Sequence, residues 1–343
     1  MSSVPDRDPR PEPDQDDEAR PTTVLTRVKA WVDPLVVMIV AVLVVGLLWP
    51  ARGAFADVLE VVRTGAIVVL FFLYGARMPT HEVLRGLRNW RLQGSMLAAT
   101  YVVFPALGLL AQLVPDAFLA PELQTGLLYL SVLPSTVQAS IVFTSLARGN
   151  VAGAITGATL SNVLGVVLTP LLVTLLLGAS TGGLDAGSVR GVVLQILLPF
   201  VAGQVVERRL GPWLRARPLL TRVCDRLVIL LVAYTSVSEA QATGAWDHVT
   251  LAALGALVVV CGVLLAAMLS LTWWSGARIG LDRPDRIALL MCGSKKSLAT
   301  GLPMAAVLFA PVVAASVALP VIVFHQIQLA TCAVVARRLG AVR

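Results

Sequence analysis

The sequence predicts an all-α polytopic membrane protein, with ten transmembrane helices arranged as two inverted repeats of five. Three observations lead there. Of 343 residues, 57% are hydrophobic and 14% charged, with a mean hydropathy of +0.82, whereas soluble chains carry about 25% charged residues. The apolar residues fall in runs separated by Pro, Gly and charge, and a spanning helix needs about 20 of them. The second half then repeats the layout of the first: Phe71-Phe72-Leu73-Tyr74 aligns with Leu231-Val232-Ala233-Tyr234, and Pro134-Ser135-Thr136 lies near Gly293-Ser294-Lys295 in the same alignment. A repeat with an odd number of spans must enter the membrane upside down in its second copy, which is a transporter architecture.

The elements follow in order. Residues 1–30 form a tail in which Pro5, Pro9, Pro11 and Pro13 alternate with Asp6, Asp8, Glu12, Asp14, Asp16, Asp17 and Glu18. Such a segment cannot bury a core and is expected to be disordered. It lacks the basic start and adjoining apolar run of a cleavable signal. The spans are expected at about 34–49, 61–77, 92–114, 123–147 and 150–177, within a first repeat over 31–180. The second repeat, over 185–343, holds spans at about 189–207, 222–240, 250–275, 285–308 and 312–336.

Span ends carry the remaining charge. The loops with Arg77, Arg85, Arg88 and Arg91 and with Arg208, Arg209, Arg215 and Arg217 alternate with loops holding only Arg52, Arg63 and Arg190, which places both termini in the cytoplasm. The net charge of +7 is therefore topological and predicts no nucleic-acid partner. Trp49, Trp90, Trp246, Trp273 and Trp274 fall near span ends, where indole suits the interface. Gly153, Gly157 and Gly165 line the fifth span for close packing. Cys224, Cys261, Cys292 and Cys332 have no metal-ligand spacing and read as reduced packing thiols.

The chemistry concentrates in the fourth and ninth spans, which are interrupted at matching places: Leu133-Pro134-Ser135-Thr136-Val137-Gln138 and Cys292-Gly293-Ser294-Lys295-Lys296-Ser297. Proline removes a backbone donor and glycine relaxes the chain, so both helices are expected to break and free carbonyls and N–H groups at mid-membrane. Two lysines there are costly, roughly 2.5–3.5 kcal/mol each on insertion scales, and such residues face a partner or a water-filled path. The candidate site is Ser135, Thr136, Gln138, Ser140, Ser294, Lys295, Lys296 and Ser297 at the breaks, with Asn162, His325 and Gln328 on the flanking fifth and tenth spans. Gln138 both donates and accepts, which suits a ligand. The serines either line the site or bond back to their own helices. His325 and Gln328 either line the path or bond to neighbouring helices.

Four stretches carry a family resemblance: Leu133 to Ser140, Ala147-Arg148-Gly149-Asn150-Val151, Leu168-Thr169-Pro170-Leu171-Leu172, and Lys296 to Met304. The chain resembles the bile acid:sodium symporter superfamily in its SBF-like branch, the branch related to sodium/bile acid cotransporter 7. The resemblance implies a panel domain of spans one, two, six and seven, a core domain of the other six, crossed broken helices 4 and 9, and alternating access at the crossing. It also implies where sodium ligands would stand, and this chain departs there. Met291 occupies the position of a Glu, Lys295 and Lys296 fall near a Gln-Asn pair, Ser140-Ile141 matches a Ser-Asn pair, and Ala154 and Ala158 replace hydroxyls.

The function expected is a secondary active symporter of a small organic anion, coupled to Na+ or H+, in the inner membrane of a bacterium. A lysine ammonium is able to supply the positive charge a bound cation would bring. Either it stays charged and pairs with helix-end carbonyls, or it exchanges a proton during transport. A cation/proton exchanger would need a carboxylate at the crossing, and a non-transporting regulatory membrane protein affecting ion homeostasis is the other alternative. No phosphate-cradling loop, zinc spacing or serine–histidine–carboxylate set points to an enzyme. No cofactor is expected beyond the coupling ion, and the partners expected are the lipid bilayer and the anion.

Overall fold

The computed structural model describes residues 34–79, 89–178, 190–243 and 250–341. The tail expected over 1–30, Arg85, Arg88 and Trp246 lie outside the described residues. The described residues are helical throughout, without strands: α1 Pro34–Leu48, α2 Ala54–Arg77, α3 Trp90–Ala111, α4a Pro121–Val132, α4b Gln138–Leu146, α5 Val151–Leu177, α6 Arg190–Arg215, α7 Pro218–Thr243, α8 Leu251–Arg278, α9a Arg283–Gly293, α9b Leu298–Leu308 and α10 Pro311–Ala341. Of these, α3, α5, α6, α8 and α10 are long and apolar enough to cross a membrane, and α1 is a shorter apolar helix. Large apolar side chains face outward along them, among them Leu175 at 68%, Val205 at 77% and Val263 at 62% exposure. Water would penalise so broad an apolar surface. The chain is an all-helical membrane protein.

Two boundaries differ most from the sequence expectation. Helix α2 starts at Ala54 rather than near 61, and Glu60 and Arg63 form an ion pair at 3.5 Å within it, with Arg63 buried. Helix α6 runs on to Arg215, so Arg208, Arg209 and Arg215 are helical rather than in a loop. Arg215 is held there by Glu207 at 2.7 Å and by the Arg77 carbonyl at the end of α2, 3.2 Å away.

Packing divides the helices. Helix α2 crosses α6 where Gly75 and Gly203 meet: a Cβ on Gly75 would strike the Phe200 carbonyl, and one on Gly203 the Phe72 carbonyl. Helix α7 lies on α1 and α2. Helices α3, α4a, α4b, α5, α8, α9a, α9b and α10 pack around the two breaks, and α7 joins this group through α9b and α10. The glycine face of α5 meets α3, as its small residues predict. A Cβ at Gly165 would lie 2.7 Å from the Tyr101 hydroxyl and 2.9 Å from Pro134 Cβ.

At one end three helix starts share a carboxylate. Asn89 caps α3 by accepting from Leu92 N, Asn150 caps α5 by accepting from Gly153 N, and Asp282 caps α9a by accepting from Asp285 N. The amides of Asn89 and Asn150 then donate to the two oxygens of Asp285, at 2.8 and 2.6 Å. Each capping side chain satisfies an orphan donor of its own helix, and Asp285 fixes the three helices to one another.

Candidate functional site

Both interrupted spans are broken. Helix α4a ends at Val132 and α4b begins at Gln138, while α9a ends at Gly293 and α9b begins at Leu298. A helix end leaves carbonyls without intrahelical partners, and in a buried site each must be satisfied. Their partners define the site.

The α4a end is capped by a cation. Lys296 is buried, and its Nζ donates to the carbonyls of Ser131 at 2.7 Å and Leu133 at 2.7 Å. Its third bond goes to the Thr100 carbonyl on α3, at 2.8 Å. That carbonyl is available for a local reason. Helix α3 widens into a π turn at Ala99–Val103, where Phe104 N bonds back to the Ala99 carbonyl. The next such bond would run from residue 105 to Thr100, and residue 105 is proline, which has no N–H. An ammonium has three donors and no acceptor, so three carbonyls saturate it in its charged form. The Phe104 ring closes one side, 4.3 Å from Nζ.

The α9a end is capped by hydroxyls. Ser135 Oγ donates to the Cys292 carbonyl at 2.6 Å, Ser140 Oγ to the Met291 carbonyl at 2.9 Å, and Thr136 Oγ1 lies 2.9 Å from Ser140 Oγ. Ser294 Oγ bonds back to the Leu290 carbonyl at 2.5 Å, and Ser297 caps α9b by accepting from Thr300 N. The two breaks also bond directly, Ser297 N donating to the Pro134 carbonyl at 2.8 Å.

The flanking helices hold the breaks in register. Gln328 accepts from Lys296 N and donates to the Lys296 carbonyl, both at 2.9 Å, and its amide nitrogen lies 2.8 Å from His325 Nδ1. Asn162 donates to the Ser135 carbonyl at 2.7 Å, and Ser161 Oγ accepts from Ser135 N at 3.1 Å. Two of the expected residues stand apart. Gln138 is exposed at the start of α4b, outside the buried network. Lys295 is fully buried but points elsewhere: its Nζ lies 3.7 Å from Met291 Sδ and 4.4 Å from the centre of the Phe143 ring. The adjacent lysines thus occupy unlike environments, one polar and saturated, one apolar.

The sequence profile of the SBF-like CPA transporter family matches residues 33–341. The chain belongs to that family. Among its relatives, protein PA2026 of Pseudomonas aeruginosa is 45% identical over 309 residues, covering 89% of this chain and 92% of that protein. The Escherichia coli (strain K12) protein named Putative symporter YfeH is 40% identical over 306 residues, covering 89% and 92%. Sodium/bile acid cotransporter 7 of Mus musculus is 27% identical over 268 residues, covering 77% and 78%. The family is a transporter family, and the latter two relatives are named as a symporter and a cotransporter, which agrees with a chain that is not an enzyme.

In this SBF-like transporter three of the positions where the resemblance implied sodium ligands are filled by apolar groups, while Ser140 keeps its hydroxyl and the lysine pair stands near two more. Met291, Ala154 and Ala158 are all fully buried, and the Ala154 carbonyl accepts from Cys292 Sγ at 3.6 Å. Sequence reasoning missed the α3 contribution, since Pro105 and Thr100 look like ordinary residues of an apolar span. It also missed Tyr101, whose hydroxyl donates to the Ser161 carbonyl at 2.5 Å, and Thr169, whose hydroxyl donates to the Val132 carbonyl at 2.9 Å. The signal available was a proline five residues beyond a threonine.

Proposed function

We propose that this chain is a secondary carrier of a small organic anion in a bacterial inner membrane, spanning it ten times with both termini cytoplasmic. Its two five-helix halves are inverted repeats. The panel of α1, α2, α6 and α7 and the core around the breaks move against each other, so that the crossing of α4 and α9 opens to each side in turn. Lys296 stands in place of a coupling sodium.

The observation that carries this reading is the coordination of the Lys296 ammonium by the carbonyls of Thr100, Ser131 and Leu133. A sodium ion between broken helices would be bound by oxygens of this kind. Here the positive charge is covalently attached and travels with α9. The family membership and the matching breaks support the carrier class, and the packing of α2 on α6 and of α7 on α1 supports the panel. Lys295, set beside Met291 Sδ and the Phe143 ring, supplies the charge that draws the anion. Of the two coupling ions expected, the proton remains.

Thermal unfolding of the detergent-purified protein in sodium and in choline, at equal ionic strength, tests the reading, because a ligand that binds the folded state raises the midpoint. Equal midpoints are expected. A sodium-specific rise would overturn the substitution of Lys296 for sodium.

A further inference from the structure

Two tryptophans at helix ends carry stacked arginines at the same spacing. At the end of α6 the Arg217 guanidinium lies 4.3 Å from the centre of the Trp213 ring, and at the end of α8 that of Arg278 lies 4.4 Å from Trp274. Each pair is four residues apart: Arg278 lies one helical turn beyond Trp274 within α8, and Arg217 folds back onto Trp213 from the turn that follows α6. Both rings remain open to the surroundings, Trp213 at 46% and Trp274 at 55% exposure, and both arginines are exposed.

Positive charge at helix ends is explained by topology alone, and indole at the interface by its amphipathic ring. Neither explains the stacking. A guanidinium that lies on a ring has given up one face but none of its five N–H donors. Arg217 uses one of them on the Trp213 carbonyl, at 3.5 Å. The planar fork that remains matches a phosphate diester, and stacking fixes it at the depth where the indole sits. Glu207 is paired with Arg215, and Asp282 accepts from Asp285 N at the α9a start.

We propose that Trp213–Arg217 and Trp274–Arg278 are two headgroup sites for an anionic phospholipid. Arginine holds the phosphate while the indole lies beside the first carbons of the acyl chains. One site is on α6, among the helices of the panel, and the other on α8, beside the breaks, so a bound lipid would meet each of the two groups of helices. The proposed topology puts both sites in the cytoplasmic leaflet, but lipid choice does not depend on the transport reading.

Native mass spectrometry of the full chain, released from nanodiscs of mixed phosphatidylglycerol and phosphatidylcholine, measures the preference. The wild type is expected to retain phosphatidylglycerol over phosphatidylcholine. Trp213→Leu/Trp274→Leu keeps every charge and is expected to lower that preference by about twofold to fivefold per site. Arg217→Gln/Arg278→Gln should lower it by about fivefold per arginine. Excess inorganic phosphate should displace nothing. An unchanged preference in the tryptophan variant would reduce the effect to bulk charge and overturn the proposal, as would displacement by inorganic phosphate. If the double tryptophan variant fails to fold, each single variant carries the same expectation for its own site.

Discussion

The backbone N–H of Ser297 donates to the carbonyl of Pro134 across 2.8 Å, so the two helix breaks are bonded to each other and not merely adjacent. Around this bond the broken ends are capped by opposite means. Helix α4a ends on the Lys296 ammonium, whereas α9a ends on the hydroxyls of Ser135 and Ser140. The two breaks are thus capped asymmetrically, one by an ammonium and the other by hydroxyls.

Gln328 should prove nearly as important to the site as Lys296 itself. It satisfies both backbone groups of Lys296, and a buried group left without a partner costs about 1–3 kcal/mol. Gln328→Leu is therefore expected to lower the unfolding midpoint strongly. Gln328→Glu keeps the acceptor for Lys296 N and should be milder. Thermal unfolding of the purified variants checks the order.

Pro105→Ala restores an N–H where the Thr100 carbonyl expects one. The new donor competes with Lys296 for that carbonyl, leaving the ammonium with Ser131 and Leu133. The chain contains only Lys29, Lys295 and Lys296, so lysine labelled with 15N at Nζ gives a spectrum of three sites. The expected result is a shift of the Lys296 signal with little change at Lys295 or Lys29.

Asp285→Ala removes the carboxylate that joins the starts of α3, α5 and α9a. Each lost hydrogen bond to a charged group is worth about 1.5–3 kcal/mol, discounted here because the Asn89 bond is exposed. Asp285→Asn should recover part of the loss, since one amide oxygen still accepts. Hydrogen exchange at the first turns of all three helices should rise together in the alanine variant.

Much of this was legible in the sequence, and for identifiable reasons. Pro134 and Gly293 marked the breaks because they remove a donor or a side chain, and Lys295-Lys296 marked the site because charge at that depth is costly. Sequence could not say which lysine caps which helix. Adjacent residues differ only in the direction of their side chains, and that direction is set by how α9a stops. Gln138 has an amide that suits a ligand, and its place at the start of α4b leaves it exposed and outside the buried network, which sequence does not reveal. The Asp285 cluster joins residues 196 and 135 positions apart, each of which looks like an ordinary cap at its own helix start. The charged early turns of α2 and last turns of α6 read as loops because charge suggests solvent, whereas their ion pairs, Glu60 with Arg63 and Glu207 with Arg215, lie along the helices themselves.

Gly203→Leu tests the close crossing of α2 and α6. The new side chain has no room beside the Phe72 carbonyl, and overpacking typically costs about 1–3 kcal/mol or more where backbone must move. Loss of folded protein in detergent is expected, while Gly65→Leu on the same α2, where a Cβ meets nothing within 4 Å, should be tolerated.

Whether Lys296 takes the place of a bound cation, as proposed, is measured by the sodium dependence of unfolding in Lys296→Ala beside the wild type. Removing the side chain leaves the carbonyls of Thr100, Ser131 and Leu133 around an unfilled space. The variant is expected to be destabilised by about 3–5 kcal/mol, as for other broken buried charge interactions, and partly restored by sodium but not choline, while the wild type stays indifferent to sodium. Sodium stabilisation of the wild type, with none gained by Lys296→Ala, would contradict it.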